Sequence, residues 1–393
     1  MSELRDAVYV DGVRIPIGRA RPDGYYAKTR ADDMVVRVIR ALIERNPQLD
    51  PARIEDNVWA ATTQIGDQGL TIGRTTAILA GLPKSVPGYA LDRMCSGALT
   101  AITNAANAIK AGAQEVVLAG GVEHMGRHPM GEAADPNPRF LADKLVDTSA
   151  LVMGQTAENL HDQFPAITRE RCDQYGLQSQ ERVQKAIANG VFDSHVVRMT
   201  VWTDEGWQVR SVDEHPRPGT TMEMLSGLKT PFRAGGRVTA GNAAGLNDGA
   251  GGVLLASRQA AEEMGLPARM RLVDYAFVGV EPETMGYGPV PATEKLFAKT
   301  GLSIDDIDVV EMNEAFAVQC LAFMDHFGLA LDSEKVNPYG GAIAMGHPLA
   351  MTGARLTQQL AHYFAQHPDA RYGITTLCVG LGMGATVLWE NLA

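Results

Sequence analysis

The chain has 393 residues, 45% hydrophobic and 21% charged, the proportions of an ordinary globular protein whose core is divided between at least two domains. Its four cysteines, Cys95, Cys172, Cys320 and Cys378, show no CxxC spacing, which gives no support to a disulfide framework or a structural zinc site and fits a reducing compartment. A formal net charge of −11 argues against a general nucleic-acid surface and leaves room only for a local basic patch holding a phosphorylated ligand.

The first predicted element is the apolar strand Ala7–Val10, followed by a helix over Asp32–Ile43 whose apolar residues recur at helical spacing. A strand at Val58–Ala61 comes next. A helix then opens at Cys95 with Leu99, Ile102, Ala106 and Ile109 on one face and Gly112 as its stop. It leads into Glu115–Ala119, an apolar run typical of an interior strand, ending before Gly120-Gly121. From about Val122 to Asn247 the texture changes to proline-rich turns and short polar helices, with a hairpin expected at Val201–Val209. This stretch reads as an insertion on the first half, either a binding lid or a structural elaboration.

The second half repeats the order of the first. Asn46–Val58 and Thr300–Val310 each give a helix end, a short acidic turn and a strand. Met94-Cys95 before its helix and strand has a counterpart in Met345–Pro348, before the helix around Leu356–Phe364 and the strand Ile374–Leu377. If the halves are related by a pseudo-twofold, Cys95 and His347 lie at equivalent helix starts and face each other across the junction.

A lone cysteine is usually a small buried hydrophobe, and that reading stays open for Cys95. Against it stand Ser96 and Gly97, which permit close backbone approach, and the helix start, whose dipole is expected to lower the thiol pKa and whose free N–H groups could hold an oxyanion. His347, between Gly346 and Pro348, is either a packed turn residue or the base for Cys95. Cys378, beside Gly380, Gly382 and Gly384, is either a packed thiol or part of a site where backbone lies close to a ligand. Gly380–Gly384 is not a dinucleotide fingerprint, because no acidic-tipped strand follows, and a P-loop is absent. His124 and His128 lack the helical ligand pattern of a metal site and are expected to be solvated or packed in a loop. No apolar run is long enough to span a bilayer and the N-terminus lacks a signal-type core, so a soluble, cytoplasmic protein is expected.

Several blocks in order carry a resemblance: Cys95-Ser96-Gly97, Gly120–Met125, Val238–Ala250, Met285–Pro289, Asn313-Glu314-Ala315-Phe316, Gly340–Pro348 and Cys378-Val379-Gly380. On these the chain resembles the thiolase family over essentially its full length, and the degradative 3-ketoacyl-CoA type more than the acetoacetyl-CoA type. The resemblance implies an α/β fold of two duplicated halves forming a five-layer α-β-α-β-α core with an inserted loop domain. The divisions expected are 1–121 with 248–267, 122–247 for the insert, and 268–393.

It further implies a retro-Claisen cleavage, in fatty-acid β-oxidation, through an acyl-Cys95 thioester. His347 would take the Cys95 proton, the N–H groups of Cys95 and Gly380 would hold the oxyanion, Asn313 would position a water on the enolate, and Cys378 would supply the proton to carbon. Arg217, Met153, Leu246, Ala244, Met285, Ala315 and Phe316 would line the coenzyme A groove. Coenzyme A and 3-ketoacyl-CoA enter as substrates, with no metal or dissociable cofactor. A homodimer or homotetramer is implied, and docking to a hydratase/dehydrogenase partner is left open.

Five departures from the family bear on this. Ala244 stands where many members have a serine that bonds pantetheine, Val152 where biosynthetic members have histidine, Asp92 for a common asparagine, and Ala350 and Thr352 for glycine and serine. The alternatives weighed are an acetoacetyl-CoA thiolase working in the Claisen direction, a ketoacyl-synthase-like condensing enzyme, a cysteine hydrolase and a non-catalytic acyl-CoA carrier.

Overall fold

The computed structural model describes residues 5–392. The first half contains β1 (Ala7–Arg14), β2 (Gly18–Arg19), α1 (Ala31–Arg45), β3 (Asp56–Ala60), α2 (Ile72–Ala80), β4 (Tyr89–Leu91), α3 (Gly97–Lys110) and β5 (Val116–His124). Then come α4 (Arg139–Ala142), α5 (Met153–Gln163), α6 (Arg169–Ala188), β6 (Met199–Thr203), β7 (Gly206–Arg210) and α7 (Met222–Ser226), before β8 (Asn247–Ser257) and α8 (Arg258–Met264) return to the first sheet. The second half contains β9 (Met270–Gly279), α9 (Pro289–Thr300), β10 (Val309–Met312), α10 (Ala317–His326), α11 (Ala342–Met345), α12 (Thr352–Gln366), β11 (Tyr372–Val379) and β12 (Met383–Asn391).

The strands follow the order β10-β11-β12-β9-β1-β8-β5-β3-β4, with β2 paired to β8. A short antiparallel seam, Val8 opposite Arg271 and Tyr9 opposite Met270, joins the halves. Outward from that seam the two sides match, β1-β8-β5-β3-β4 against β9-β12-β11-β10. Even the last position is echoed, since Val58 pairs in parallel with Tyr89 and Val310 bridges in parallel to Val336. The repeated acidic turns appear as 3₁₀ turns, Pro51–Arg53 before β3 and Ile304–Asp306 before β10.

Side-chain alternation along the strands builds the layers. Val8, Val10, Val116, Leu118, Leu254 and Ala256 pack outward with α1, α2 and α8. Their neighbours Tyr9, Val117, Ala119, Val253 and Leu255 pack inward with Leu99, Ile102 and Ile109 of α3, Leu356, Leu360 and Phe364 of α12, and Leu377 and Val387 of the second sheet. On the far side Ile374, Cys378 and Leu388 pack with α9 and α10. The order is therefore helices, sheet, the α3–α12 pair, sheet, helices. Small residues bring the starts of α3 and α12 together: a Cβ on Gly353 would fall 2.8 Å from the Leu99 Cβ, and one on Gly97 would fall 3.0 Å from the Ala350 Cβ.

Two local expectations are corrected. Strand β5 does not stop before Gly120-Gly121 but continues to His124. The glycines lie within the sheet because added Cβ atoms would strike Gly251 O and, at 2.8 Å, the Trp59 ring at the first, and Ala350 O at the second. The segment between β5 and β8 is also not made of short helices only, since α6 runs for 20 residues. Its hairpin forms as expected, with Trp202 opposite Trp207 in a T-shaped pair 5.2 Å apart.

Candidate active site

Cys95 lies in the 3₁₀ turn Met94–Ser96 that precedes α3. Met94 has a φ of +44°, a left-handed backbone that turns the chain sharply before the thiol. Asp92 steadies the bend by accepting from the Met94 N–H at 2.6 Å, a role its carboxylate fills in place of an asparagine amide oxygen. The turn packs against Leu349–Met351, the turn just after His347, so the duplicated helix starts bring the two residues to one place.

His347 is 5% exposed and held on three sides. Its N–H donates to Asn247 Oδ1 at 3.0 Å, and no side chain fits on Gly346, where a Cβ would fall 2.5 Å from that asparagine. Thr352 Oγ1 lies 2.6 Å from Nδ1 while its hydroxyl donates to the Pro348 carbonyl at 3.2 Å. The threonine oxygen must then accept, which assigns the imidazole proton to Nδ1. Nε2 is left with its lone pair toward Asn313 Nδ2 at 3.3 Å, and Arg355 orients that amide by lying 3.5 Å from Asn313 Oδ1.

The Gly380 amide lies near enough to the Cys95 thiol to favour its charged form. A Cβ on Gly380 would meet Met94 Sδ at 2.8 Å and Met153 Sδ at 3.6 Å, which places Met153 beside the Cys95 turn. Cys378, two residues earlier at the end of β11, is 1% exposed. Burial pushes its thiol pKa up, and the nearby Cys95 adds to the rise, so the two thiols share one site.

The electrostatics overturn the expectation of a dipole-activated thiol. Burial pushes Cys95 up to about 12, partly offset by the Gly380 and Cys95 amides and reinforced by Glu123 and Asp92. Burial likewise drives His347 down to about 3, with Arg355 adding to the fall. The resting pair is therefore a neutral thiol and a neutral imidazole, and the proton moves only during attack. It follows that alkylation of Cys95 by iodoacetamide is expected to rise about tenfold per pH unit from pH 7 to pH 10 without a plateau. A plateau below pH 8, read from timed labelling and peptide mass, would mean a preformed thiolate.

The remaining residues implied by the resemblance fall in three places. Arg217 lines a groove of about 190 Å³ with Gln180, His215, Thr220, Leu225 and Leu228, close enough to Arg19 and Arg21 to be repelled by both. Ala244 and Leu246 run from that groove to His347: Ala244 N–H donates to Ala315 O at 3.0 Å, Ala243 bridges Phe316 and Leu246 bridges His347. Ala244 thus uses its backbone on Ala315 and has no side-chain donor. Met285, by contrast, is 3% exposed and packed in the outer core of the second half, where Ala315 and Phe316 are buried as well. His124 and His128 are not in a solvated loop. His124 ends β5 fully buried against the Tyr26 and Thr29 carbonyls and Asp248, and His128 lies 2.6 Å from Asp67 and 3.1 Å from Glu132.

Several supporting residues were given no role of their own by the sequence. Glu123 joins β5 to the loop after His347 by accepting from Ala350 N–H at 3.1 Å. Glu314 accepts from Ser179, Asn337 and Ile343 N–H at 2.6, 3.0 and 3.1 Å, tying the Asn313 segment to α6 and to α11. Gln319 on α10 accepts from the Cys378 thiol at 3.7 Å.

With this geometry in view, the comparisons agree. Residues 7–259 match the thiolase N-terminal domain and residues 266–391 the thiolase C-terminal domain. The chain belongs to the thiolase family. It is an acyltransferase of that family, 42% identical to the 3-oxoadipyl-CoA/3-oxo-5,6-dehydrosuberyl-CoA thiolase of Escherichia coli K12 over 99% of this chain and 100% of that one. It is also 42% identical to a 3-ketoacyl-CoA thiolase of Idiomarina loihiensis over 99% and 100% of the two chains. Human mitochondrial 3-ketoacyl-CoA thiolase superposes with a TM-score of 0.90 at 35% identity, covering 99% of this thiolase and 100% of the human chain.

Proposed function

We propose that this thiolase cleaves 3-ketoacyl-CoA with coenzyme A to acetyl-CoA and a shortened acyl-CoA. The observation that carries the reading is a pair of neighbouring thiols, half-buried Cys95 and buried Cys378, with the Gly380 amide near the first and His347, its proton assigned to Nδ1, just before the turn that packs against that of Cys95. Nε2 takes the Cys95 proton as Sγ bonds to the 3-keto carbon. The Cys95 and Gly380 amides hold the oxyanion. The C2–C3 bond breaks, its electron pair becomes the acetyl-CoA enolate, and the enolate carbon takes the Cys378 proton. The imidazolium returns its proton to Cys378, Nε2 then takes the proton of incoming coenzyme A as its sulfur takes the acyl group, and that proton passes to the departing Cys95 thiolate.

The groove at Arg217 is the proposed seat of coenzyme A, with Arg19, Arg21 and Arg217 supplying the positive charge its phosphates need in a chain of net charge −11. Arg217→Ala is expected to raise KM for coenzyme A about tenfold with kcat within twofold, since this contact is the same in ground and transition states. A kcat loss at unchanged KM would move coenzyme A elsewhere.

A role in fatty-acid β-oxidation, a cytoplasmic setting and a homo-oligomer belong to the same proposal. All four cysteines are free, no described helix is long and apolar enough to cross a membrane, and the first sheet ends in the three-residue strand β4, which has a strand partner only on its β3 side among the described residues. The E. coli relative's name favours a second reading, a 3-keto substrate with a distal carboxylate. Coenzyme A-dependent loss of 3-ketoacyl-CoA over short, long and dicarboxylic chains, with products identified by mass, tests both. Cleavage at no chain length would reject the activity, and preference for the dicarboxylic series would select the second reading.

A further inference from the structure

Gln319 is 1% exposed on α10, and its Oε1 receives two thiols, Cys378 at 3.7 Å and Cys320 at 3.8 Å. The Cys320 thiol also reaches the Asn313 carbonyl at 3.8 Å, so the amide stands between the two segments proposed to handle the enolate. Its other end is anomalous. Gln319 Nε2 is buried with no hydrogen-bond partner among the described residues, and the stem is pinned by Gly286, where a Cβ would come within 3.2 Å of the Gln319 Cβ. A buried amide N–H left unpaired costs free energy on the order of a lost hydrogen bond, so a use for it is expected.

The chemistry of Cys378 provides that use. As a thiol it needs an acceptor, which Oε1 supplies. Once its proton has gone to carbon, the same oxygen faces a thiolate and repels it, while an amide N–H would hold it. We propose that Gln319 is the positioning residue of Cys378, holding the thiol through Oε1 and, by turning over about its last side-chain bond, donating Nε2–H to the thiolate. No co-reactant is needed, since the proton passes from Sγ to the enolate carbon and is restored from the His347 imidazolium. The inference rests on the reading of Cys378 as proton donor, and it makes Gln319 matter for one half-reaction only.

That asymmetry is the test. Exchange of acetyl-CoA methyl protons with D₂O needs Cys378, whereas transfer of acetyl from acetyl-CoA to labelled coenzyme A needs Cys95 and His347. Gln319→Met, which keeps the volume and removes the amide, is expected to slow deuterium exchange at least tenfold and to move its pH profile to higher pH, with transacylation within twofold of the parent. Gln319→Glu, of the same shape, is expected to lose exchange progressively as pH rises, because an ionised carboxylate can only accept and repels the thiolate. Exchange unchanged in both variants, or exchange and transacylation falling together, would overturn the proposal. Cys378→Ala separates the two claims: if it keeps exchange, the reading of Cys378 fails and the inference with it; if it alone loses exchange, only the role of Gln319 is wrong.

Discussion

Cys95→Ala is expected to lower coenzyme A-dependent cleavage by about 10⁵-fold or more, the scale seen when a covalent nucleophile is removed. No neighbour can take over. Cys378 is the nearest second thiol, but it is buried at the end of β11 and its proton is held more tightly for the presence of Cys95. The loss is chemical and not structural, because Cys95 sits half-buried in a turn, and removing one sulfur there costs about 1 kcal/mol of stability. Coenzyme A affinity, measured by calorimetry, is expected to stay within threefold. Residual cleavage within a hundredfold of the parent would assign the nucleophile to another residue.

His347→Asn is expected to lower cleavage at pH 7.5 by about 10³ to 10⁴-fold, the contribution of a well-placed general base. The pH profile carries more information than the size of the loss. In the parent, burial keeps the imidazole neutral down to about pH 3, so Nε2 can accept a proton across the neutral range and the acid limb lies well below pH 6. In the variant only solvent can remove the Cys95 proton, and with the thiol near 12 the acylation rate is expected to rise about tenfold per pH unit between 7 and 10. A flat profile in the variant would mean that His347 is not the base. The same depressed pKa has a sign for stability. The unfolded chain binds a proton at this histidine near the ordinary value of about 6.5 and the folded chain does not, so its contribution is complete above that pH and is lost as pH falls toward 3.

Much of the site was legible because duplication turns distance along the chain into proximity. Two helix starts at equivalent places must meet if the halves are related, and the glycines at 97 and 353 make the meeting close. The apolar run of β5 likewise announced a strand buried on both faces. The state of the thiol was not legible. A helix start favours negative charge by about 0.3–1 kcal/mol, less than one tenfold in acidity, whereas burial takes Cys95 to about 12, and burial is a property of the finished fold. Gln319 and Glu314 were hidden for a related reason. Each sits inside or beside an apolar helical pattern where a polar residue signals nothing until its partners, Cys378 for one and Ser179 and Asn337 for the other, arrive from 59, 135 and 23 residues away. Thr352 shows the reverse case: legible only as a departure from the family, it proves to hold His347 Nδ1 through its hydroxyl.

The central claim is that acyl transfer runs through Cys95, and intact-mass analysis of the protein quenched in acid after mixing with a 3-ketoacyl-CoA in the absence of free coenzyme A tests it most directly. The expected result is a mass gain equal to the shortened acyl group, mapped to the peptide carrying Cys95, removed by added coenzyme A and absent in Cys95→Ala. Cleavage with no acyl-enzyme at any quench time, or an acyl group mapped to Cys378, would contradict it.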